Sequence, residues 1–246
     1  MGDADNMSFW DHLDILRGVL LRCVVVIVVM AVVAFCFKDQ LFAVVLAPCR
    51  DDFPSYRLLG LPPFGLHLIN TGLTEQLMMH IKVAVYAGLF ASSPYWLYEL
   101  FGFVSPALYQ QERRLALRVV GSGYLMFVIG TLLCFFLIFP LTLRFLGTYQ
   151  VSESVDNMLT LSSYVDTMIT LMLCIGIVFQ LPVICWLLGR MGIINRRMMS
   201  CYRRHAIVVI LIVAAVITPT TDVFTLLIVS LPVWLLYELS ILIVRK

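Results

Sequence analysis

Several apolar segments of about twenty residues constrain the fold of this chain more than any other feature. The run 19–37 carries one charge, Arg22, and comparable runs cover 77–101, 119–139 and 168–188. A bilayer hydrocarbon core of about 30 Å needs roughly 20 residues of helix. Since 61% of the residues are hydrophobic and 13% are charged, the composition excludes a soluble globular domain. The sequence predicts an all-α membrane protein.

Two further apolar runs, 206–217 and 223–243, bring the predicted transmembrane helices to six. The fifth run is short for a bilayer crossing, and the segment 218–222 that follows it is a predicted turn ending at Asp222, a residue type that caps helices. We therefore expect a tight helical hairpin. It either re-enters the membrane or crosses where the bilayer is thinned, and we favour the crossing because it returns the basic C-terminus to the basic side.

The distribution of basic residues predicts the orientation of these helices. If both termini are cytoplasmic, that side holds twelve of the seventeen Lys and Arg residues, which agrees with the positive-inside rule. The five on the other side are Lys38, Arg50, Arg57, Lys82 and Arg144. The outer loop 38–74 is rich in proline and glycine, so we expect a compact, turn-rich cap. The whole chain, 1–246, is interpreted as a single transmembrane domain.

Polar side chains inside the predicted spans are candidates for function because each is costly in a bilayer. These side chains are Lys82, Glu99, Gln180 and Glu238. A purely structural interpretation is equally open for them. Glu99 and Glu238 can pair with arginines at the membrane surface, and Gln180 can hydrogen-bond to a neighbouring helix.

A short polar stretch, 103–114, places one carboxylate, Glu112, beside Arg113 and Arg114 at a predicted membrane surface. The cytoplasmic surface normally favours Lys and Arg. An acid held there by flanking helices is therefore a candidate receptor for a cationic partner.

Other classes of function are not indicated. The net charge of +2 is too small to suggest nucleic acid. No metal-ligand spacing joins the histidines, and no glycine loop could cradle a phosphate, so we expect neither a metal nor a cofactor. No intramembrane serine has a histidine placed to serve it, and we do not expect an enzyme. An ion gradient is the expected source of energy.

Several motifs occur together along nearly the whole chain. The most specific are Ser93-Pro94, Phe103, Ser105-Pro106-Ala107-Leu108-Tyr109 and Glu112-Arg113-Arg114. Others, in chain order, are His12-Leu13, Leu16-Arg17, Ala47-Pro48, Thr74-Glu75, Ile81-Lys82, Ser163-Tyr164, Leu181-Pro182, Thr218-Pro219, Asp222-Val223-Phe224 and Tyr237-Glu238. In order and spacing they resemble the TatC family, the multispanning signal-peptide receptor of the twin-arginine protein translocase.

The resemblance implies a receptor that binds twin-arginine signal peptides and enables transport of folded proteins, driven by the proton-motive force. The residues it assigns to signal-peptide binding are Asp14, Arg17, Phe103, Pro106 and Glu112. Functional polar or cap positions are Pro48, Glu75, Lys82, Glu99, Gln180, Asp222 and Glu238. Two adjacent arginines need about two partly shielded acceptors, since a guanidinium pairs bidentately with a carboxylate.

Two positions depart from the family's pattern. Ile15 stands where the family has a glutamate, so either Asp14, displaced by about 100° on a helix, or Asp11, one turn earlier, is the second acceptor. Gln180 also replaces a glutamate, and its amide can hydrogen-bond but cannot ionise. Glu112 is therefore the better-supported acceptor.

The resemblance also implies partners and a location. We expect small single-span subunits of the TatA and TatB type, further copies of this chain and the lipid bilayer, in the cytoplasmic (inner) membrane of a prokaryote. Two alternatives remain. One is a small-molecule or ion secondary transporter with a path along Lys82, Glu99 and Gln180, and the other is a scaffolding membrane subunit.

Overall fold

The computed structural model describes residues 9–50, 52–58, 60, 65, 68–104, 113–149, 158–218 and 222–244. Twelve α-helices make up most of this part of the chain. They are α1 (Phe9–Phe35), α2 (Lys38–Val45), α3 (Pro54–Leu58), α4 (Glu75–Ala91), α5 (Ser93–Val104), α6 (Arg113–Leu133), α7 (Phe139–Thr148), α8 (Leu161–Val178), α9 (Leu181–Arg190), α10 (Arg196–Cys201), α11 (Arg203–Ile217) and α12 (Val223–Ile243).

Three shorter features complete the described secondary structure. A 3-10 turn covers Ala47–Cys49 and a π-helical turn covers Cys134–Ile138. The strands β1 (Leu68–Ile69) and β2 (Leu159–Thr160) form a two-stranded parallel pair. The all-α prediction therefore missed one small sheet, and the cap contains more regular structure than the expected series of turns.

Four described helical segments are long and apolar enough to cross a membrane: Leu13–Phe35, Val119–Thr148, Leu161–Arg190 and Val223–Ile243. The other two predicted spans take different forms. Residues 77–101 are shared between α4 and α5, and the fifth span corresponds to α11, with 15 residues.

Prolines mark the places where helices are interrupted. Pro94 lies in the first turn of α5, directly after the turn at Ser92, and Pro182 lies in the first turn of α9. A proline has no N–H to donate to the preceding turn, and its ring crowds the carbonyl four residues earlier, but it is tolerated in a first helical turn. Each of the predicted spans 77–101 and 168–188 is therefore divided between two helices, α4 with α5 and α8 with α9.

The chain forms two compact units, and the first comprises Met1–Leu41 and His80–Tyr124. Within it α1 packs against α5. Gly88 of α4 approaches α1 so closely that a Cβ there would lie 2.5 Å from the backbone nitrogen of Ala31. The ring of His80 is stacked on Phe35, with centroids 4.0 Å apart, and His80 is buried.

The second unit comprises Phe42–Met79 and Leu125–Lys246, and α12 packs there against α7, α9, α10 and α11. Two glycines allow other helices of this unit to approach closely. A Cβ on Gly130 of α6 would lie 2.6 Å from Cγ of Phe179, and one on Gly176 of α8 would lie 2.7 Å from the ring of Phe127. Close packing at glycine is typical of helices in membranes.

Candidate functional site

The N-terminal part of α1 carries the predicted polar residues on its surface. Asp14 and Arg17 are both exposed and lie three positions apart, so they share one face of the helix. Ile15, where the resemblance to the TatC family implies an acid, is 46% exposed and apolar. A carboxylate at position 14 is therefore available at the surface of α1.

The other predicted signal-peptide residues follow α5. Phe103 is the penultimate residue of that helix. Pro106 and Glu112 lie outside the described residues, as does the side chain of Phe103. Their predicted roles stay predictions.

Glu99 of α5 forms an ion pair with Arg22 of α1. Arg22 Nη2 lies 3.0 Å from Glu99 Oε2, and the hydroxyl of Tyr95 donates to Glu99 Oε1 at 3.1 Å. The carboxylate side chain is 17% exposed, whereas that of Arg22 is 58% exposed. The structure thus shows the pairing of Glu99 with an arginine, one of the two interpretations left open by the sequence, and this pair connects α1 to the helix that leads into the 103–114 stretch.

Glu75, the first residue of α4, links separate backbone segments of the second unit. Its Oε2 accepts hydrogen bonds from the amides of Thr71 and Gly72, each at 2.9 Å, and from the Thr71 hydroxyl at 3.2 Å. Its Oε1 accepts from the amide of Ser162 at 2.9 Å. The Ser162 hydroxyl and the surrounding amides lower the pKa of Glu75 to about 2, because each stabilises the carboxylate form.

Two tyrosines anchor the cap segment that contains Pro48. Pro48 is buried, and its carbonyl accepts a hydrogen bond from the Tyr56 hydroxyl at 2.8 Å. The carbonyl of Val45 accepts from the Tyr164 hydroxyl at 2.7 Å. Burial raises the pKa of Tyr56 to about 12, so its hydroxyl remains a donor at physiological pH. The role of Pro48 that the structure shows is positional.

Gln180 lies at the interruption between α8 and α9. It is 6% exposed, and its backbone carbonyl accepts a hydrogen bond from the backbone amide of Ile184 as the next helix begins. A buried amide can remain in such a place without the cost of a buried charge. Lys82, by contrast, is exposed on α4.

The α11–α12 hairpin is closed at one end by Arg203 and Glu238. Arg203 Nη2 lies 2.9 Å from Glu238 Oε2, so the structure shows the structural pairing that the sequence left open for this acid. Beside it, the hydroxyl of Tyr237 donates to the carbonyl of Met199 at 2.9 Å. At the other end Asp222 accepts the amide of Thr225 at 2.7 Å, which is the predicted helix cap.

A shallow apolar groove lies between the two helices of this hairpin. It is lined by Ile207, Ile210, Leu211, Ser230, Leu231 and Trp234 and encloses about 250 Å³. The α11 surface beside it is apolar and exposed, including Val208, Val209 and Ile212. Such a surface fits a hydrocarbon environment or another apolar helix.

Comparison with known proteins assigns the family. A sequence model of TatC, the Sec-independent protein translocase protein, matches residues 11–232. The chain belongs to the TatC family. A TatC from Koribacter versatilis is 35% identical over 239 residues, covering 96% of this chain and 84% of the relative. One from Deinococcus radiodurans is 33% identical over 241 residues, covering 98% and 86%.

Solved structures of TatC have the same fold. A crystal structure of the twin arginine translocase receptor TatC in DDM superimposes with a TM-score of 0.81 at 28% identity, covering 96% of this chain and 100% of that one. A second crystal structure of the same receptor gives a TM-score of 0.79 at 29% identity. As a TatC-family member, the chain is a membrane protein of a protein-transport system.

Sequence reasoning missed the partners that hold these residues. It identified Glu99 and Glu238 but not Arg22 or Arg203 as the particular arginines, and it did not connect Glu75 to Ser162. The available signal was weak, because Arg22 is one charged residue in a long apolar run and Ser162 is one of several hydroxyl residues in its segment. The Arg22–Glu99 contact joins residues 77 positions apart and the Glu75–Ser162 contact joins residues 87 positions apart, so both depend on the tertiary fold.

Proposed function

We propose that this chain is the receptor subunit that binds twin-arginine signal peptides and enables folded proteins to cross the membrane, driven by the proton-motive force. The observation that carries the proposal is the TatC match over residues 11–232, together with the likeness to solved twin arginine translocase receptors. We assign the arginine pair to Glu112, with Asp14, Arg17, Phe103 and Pro106 around it. The chemistry supports this, since a partly shielded carboxylate selects guanidinium over ammonium.

The proposal includes six membrane crossings in a single transmembrane domain with both termini in the cytoplasm. The distribution of basic residues supports the orientation. In this arrangement α4 and α5 together make the second crossing. With 15 residues, or about 22 Å, α11 makes the fifth where the bilayer is thinned.

The partners we propose are small single-span subunits of the TatA and TatB type, together with further copies of this chain, in the inner membrane of a prokaryote. The groove between α11 and α12 and the exposed apolar surface of α11 support docking of a partner helix there. Extending α11 by about four apolar residues should impair export, because a full-length helix removes the thinning.

The central experiment measures export of a folded reporter carrying a twin-arginine signal. Glu112→Ala should abolish its export and leave export of unfolded chains intact, whereas Gln111→Ala serves as the neighbouring control. Normal export by Glu112→Ala would show that the receptor carboxylate is assigned to the wrong residue.

Site-specific crosslinking tests recognition directly. A crosslinker at position 103 or 112 should label a twin-arginine peptide more strongly than a twin-lysine peptide. Equal labelling of the two peptides contradicts specific recognition.

A further inference from the structure

We propose that Glu99 and Tyr95 form a guanidinium-binding site that the chain's own Arg22 occupies in the absence of cargo, and that one arginine of the signal peptide replaces Arg22 there. The inference rests on the proposed receptor function and names a second acceptor for the arginine pair. It concerns the first unit alone, in which all three residues lie.

The Glu99 carboxylate already binds a guanidinium through one oxygen and a tyrosine hydroxyl through the other. Arg22 Nη2 lies 3.0 Å from Oε2, and the Tyr95 hydroxyl holds Oε1 at 3.1 Å. Tyr95 and Glu99 lie four residues apart on α5, so the same helix orients the acceptor independently of Arg22. An acceptor oriented in this way loses little freedom when it binds a new cation.

The exposure of the two partners is unequal, and this favours exchange. Glu99 is shielded, with a side chain 17% exposed, whereas Arg22 is 58% exposed. More than half of the Arg22 side-chain surface is therefore already outside the protein interior before Arg22 leaves Glu99. Replacing one guanidinium by another keeps a charge-assisted hydrogen bond to Glu99, so the exchange has a small net cost.

The N-terminal part of α1 has no acid at position 15. Ile15 is exposed and apolar, and the sequence-assigned acceptors for the two arginines are Glu112 and the exposed Asp14. Glu99 lies five residues before the end of α5 at Val104, or about 7.5 Å along the axis, and the 105–112 segment follows directly. Adjacent side chains of an extended peptide point to opposite sides, so their two acceptors need not be neighbours.

The opposing interpretation is a purely structural role, in which the ion pair only holds α1 against α5. The two ideas predict opposite signs for one substitution. If Arg22 competes with the ligand, Arg22→Gln removes the competitor and should tighten binding of a twin-arginine peptide about two- to sixfold. A purely structural role predicts that Arg22→Gln leaves binding of the twin-arginine peptide weaker or unchanged.

The experiment measures the Kd of a fluorescent twin-arginine signal peptide for the full chain in nanodiscs, with a twin-lysine peptide alongside. Glu99→Gln should weaken twin-arginine binding about tenfold, because a charge-assisted hydrogen bond is lost. Tyr95→Phe should weaken it less, whereas Tyr98→Phe on the same helix should have no effect. Lys38→Gln controls for the change in net charge in Arg22→Gln.

A double substitution keeps the test decisive if Arg22→Gln disturbs folding. In the Glu99→Gln background, Arg22→Gln should give no gain, because the contested site is gone. Gel filtration and thermal unfolding identify a variant that has lost its fold, and Arg22→Lys then replaces Arg22→Gln, with a smaller expected gain in affinity.

The outcomes separate this inference from the receptor function on which it rests. If the wild type does not distinguish twin-arginine from twin-lysine peptides, the receptor function itself fails. If the wild type distinguishes them but a folded Arg22 variant binds no more tightly, or Glu99→Gln binds normally, the exchange at Glu99 is wrong and the receptor function stands.

Discussion

The carboxylate of Glu75 accepts a hydrogen bond from the amide of Ser162 at 2.9 Å, across 87 residues of chain. This contact joins the start of α4 to the start of α8, next to the β1–β2 pair. Because the same carboxylate also accepts hydrogen bonds from the amides of Thr71 and Gly72, one side chain links the 71–72 segment to the start of α8. It thereby positions the cap residues of the second unit.

Glu75→Gln should loosen the cap. The amide keeps the shape of the side chain but replaces a charged acceptor by a neutral one. Its NH2 group would also face the N–H and O–H donors that now bind the carboxylate, and it cannot accept hydrogen bonds from them. We expect faster hydrogen exchange at the amides of Thr71, Gly72 and Ser162, with α12 unaffected. The exposed neighbour Gln76 provides a control, since Gln76→Ala should leave exchange unchanged.

The stability of the cap should depend on pH through the same group. The folded-state pKa of Glu75 is lowered from 4.5 to about 2, so its contribution is fully present above about pH 4.5 and is lost as the pH falls towards 2. Unfolding in detergent followed between pH 6 and 2 should show this loss. An identical pH profile for wild type and Glu75→Gln would contradict the role of this carboxylate.

Tyr164→Phe should destabilise the second unit by about 1–3 kcal/mol, because the buried carbonyl of Val45 loses its donor. The ring itself remains and keeps its edge-to-face contact with Phe139 at 5.2 Å. Thermal or denaturant unfolding in detergent measures the change. Tyr124→Phe, at a 40% exposed position, is the matched control and should have little effect.

Two glycines of α6 should respond oppositely to alanine. Gly130→Ala places a Cβ 2.6 Å from Cγ of Phe179 and should cost about 1–3 kcal/mol, since that atom lies close to the backbone and cannot swing away. Gly121 has nothing within 4 Å, so Gly121→Ala should be neutral or stabilise the helix by up to about 1 kcal/mol. Equal effects on the unfolding midpoint would show that packing at Gly130 is not tight.

Arg203→Ala should weaken the α11–α12 hairpin by about 0.2–1 kcal/mol, because its partner Glu238 is only partly shielded. Arg204→Ala is the control one residue away. A charge exchange, Arg203→Glu with Glu238→Arg, should recover part of the loss in a double-mutant cycle. Absence of any coupling between the two positions would mean that the ion pair adds nothing to the hairpin.

The parts that sequence could predict are those set by local chemistry. Apolar runs identified the long helices, and Asp222 was predicted as a cap because its residue type and position suffice. Pairing of Glu99 and Glu238 with arginines was one of two interpretations that the sequence left open, because a lone carboxylate is costly at a membrane. The interruptions at Ser92 and Gln180 were missed, although Pro94 and Pro182 mark them, because hydropathy does not register the loss of a backbone donor.

The sequence by itself determined that the chain enters a membrane, and its motifs determined its family. The tertiary structure decided which charged groups meet, because Arg22 and Glu99, or Glu75 and Ser162, come together only when distant segments pack. A contact between such segments depends on the relative positions of whole helices, which the pattern of any single segment does not contain. For that reason the sequence could name Glu99 as important, but its arginine partner became evident only from the packing of α1 against α5.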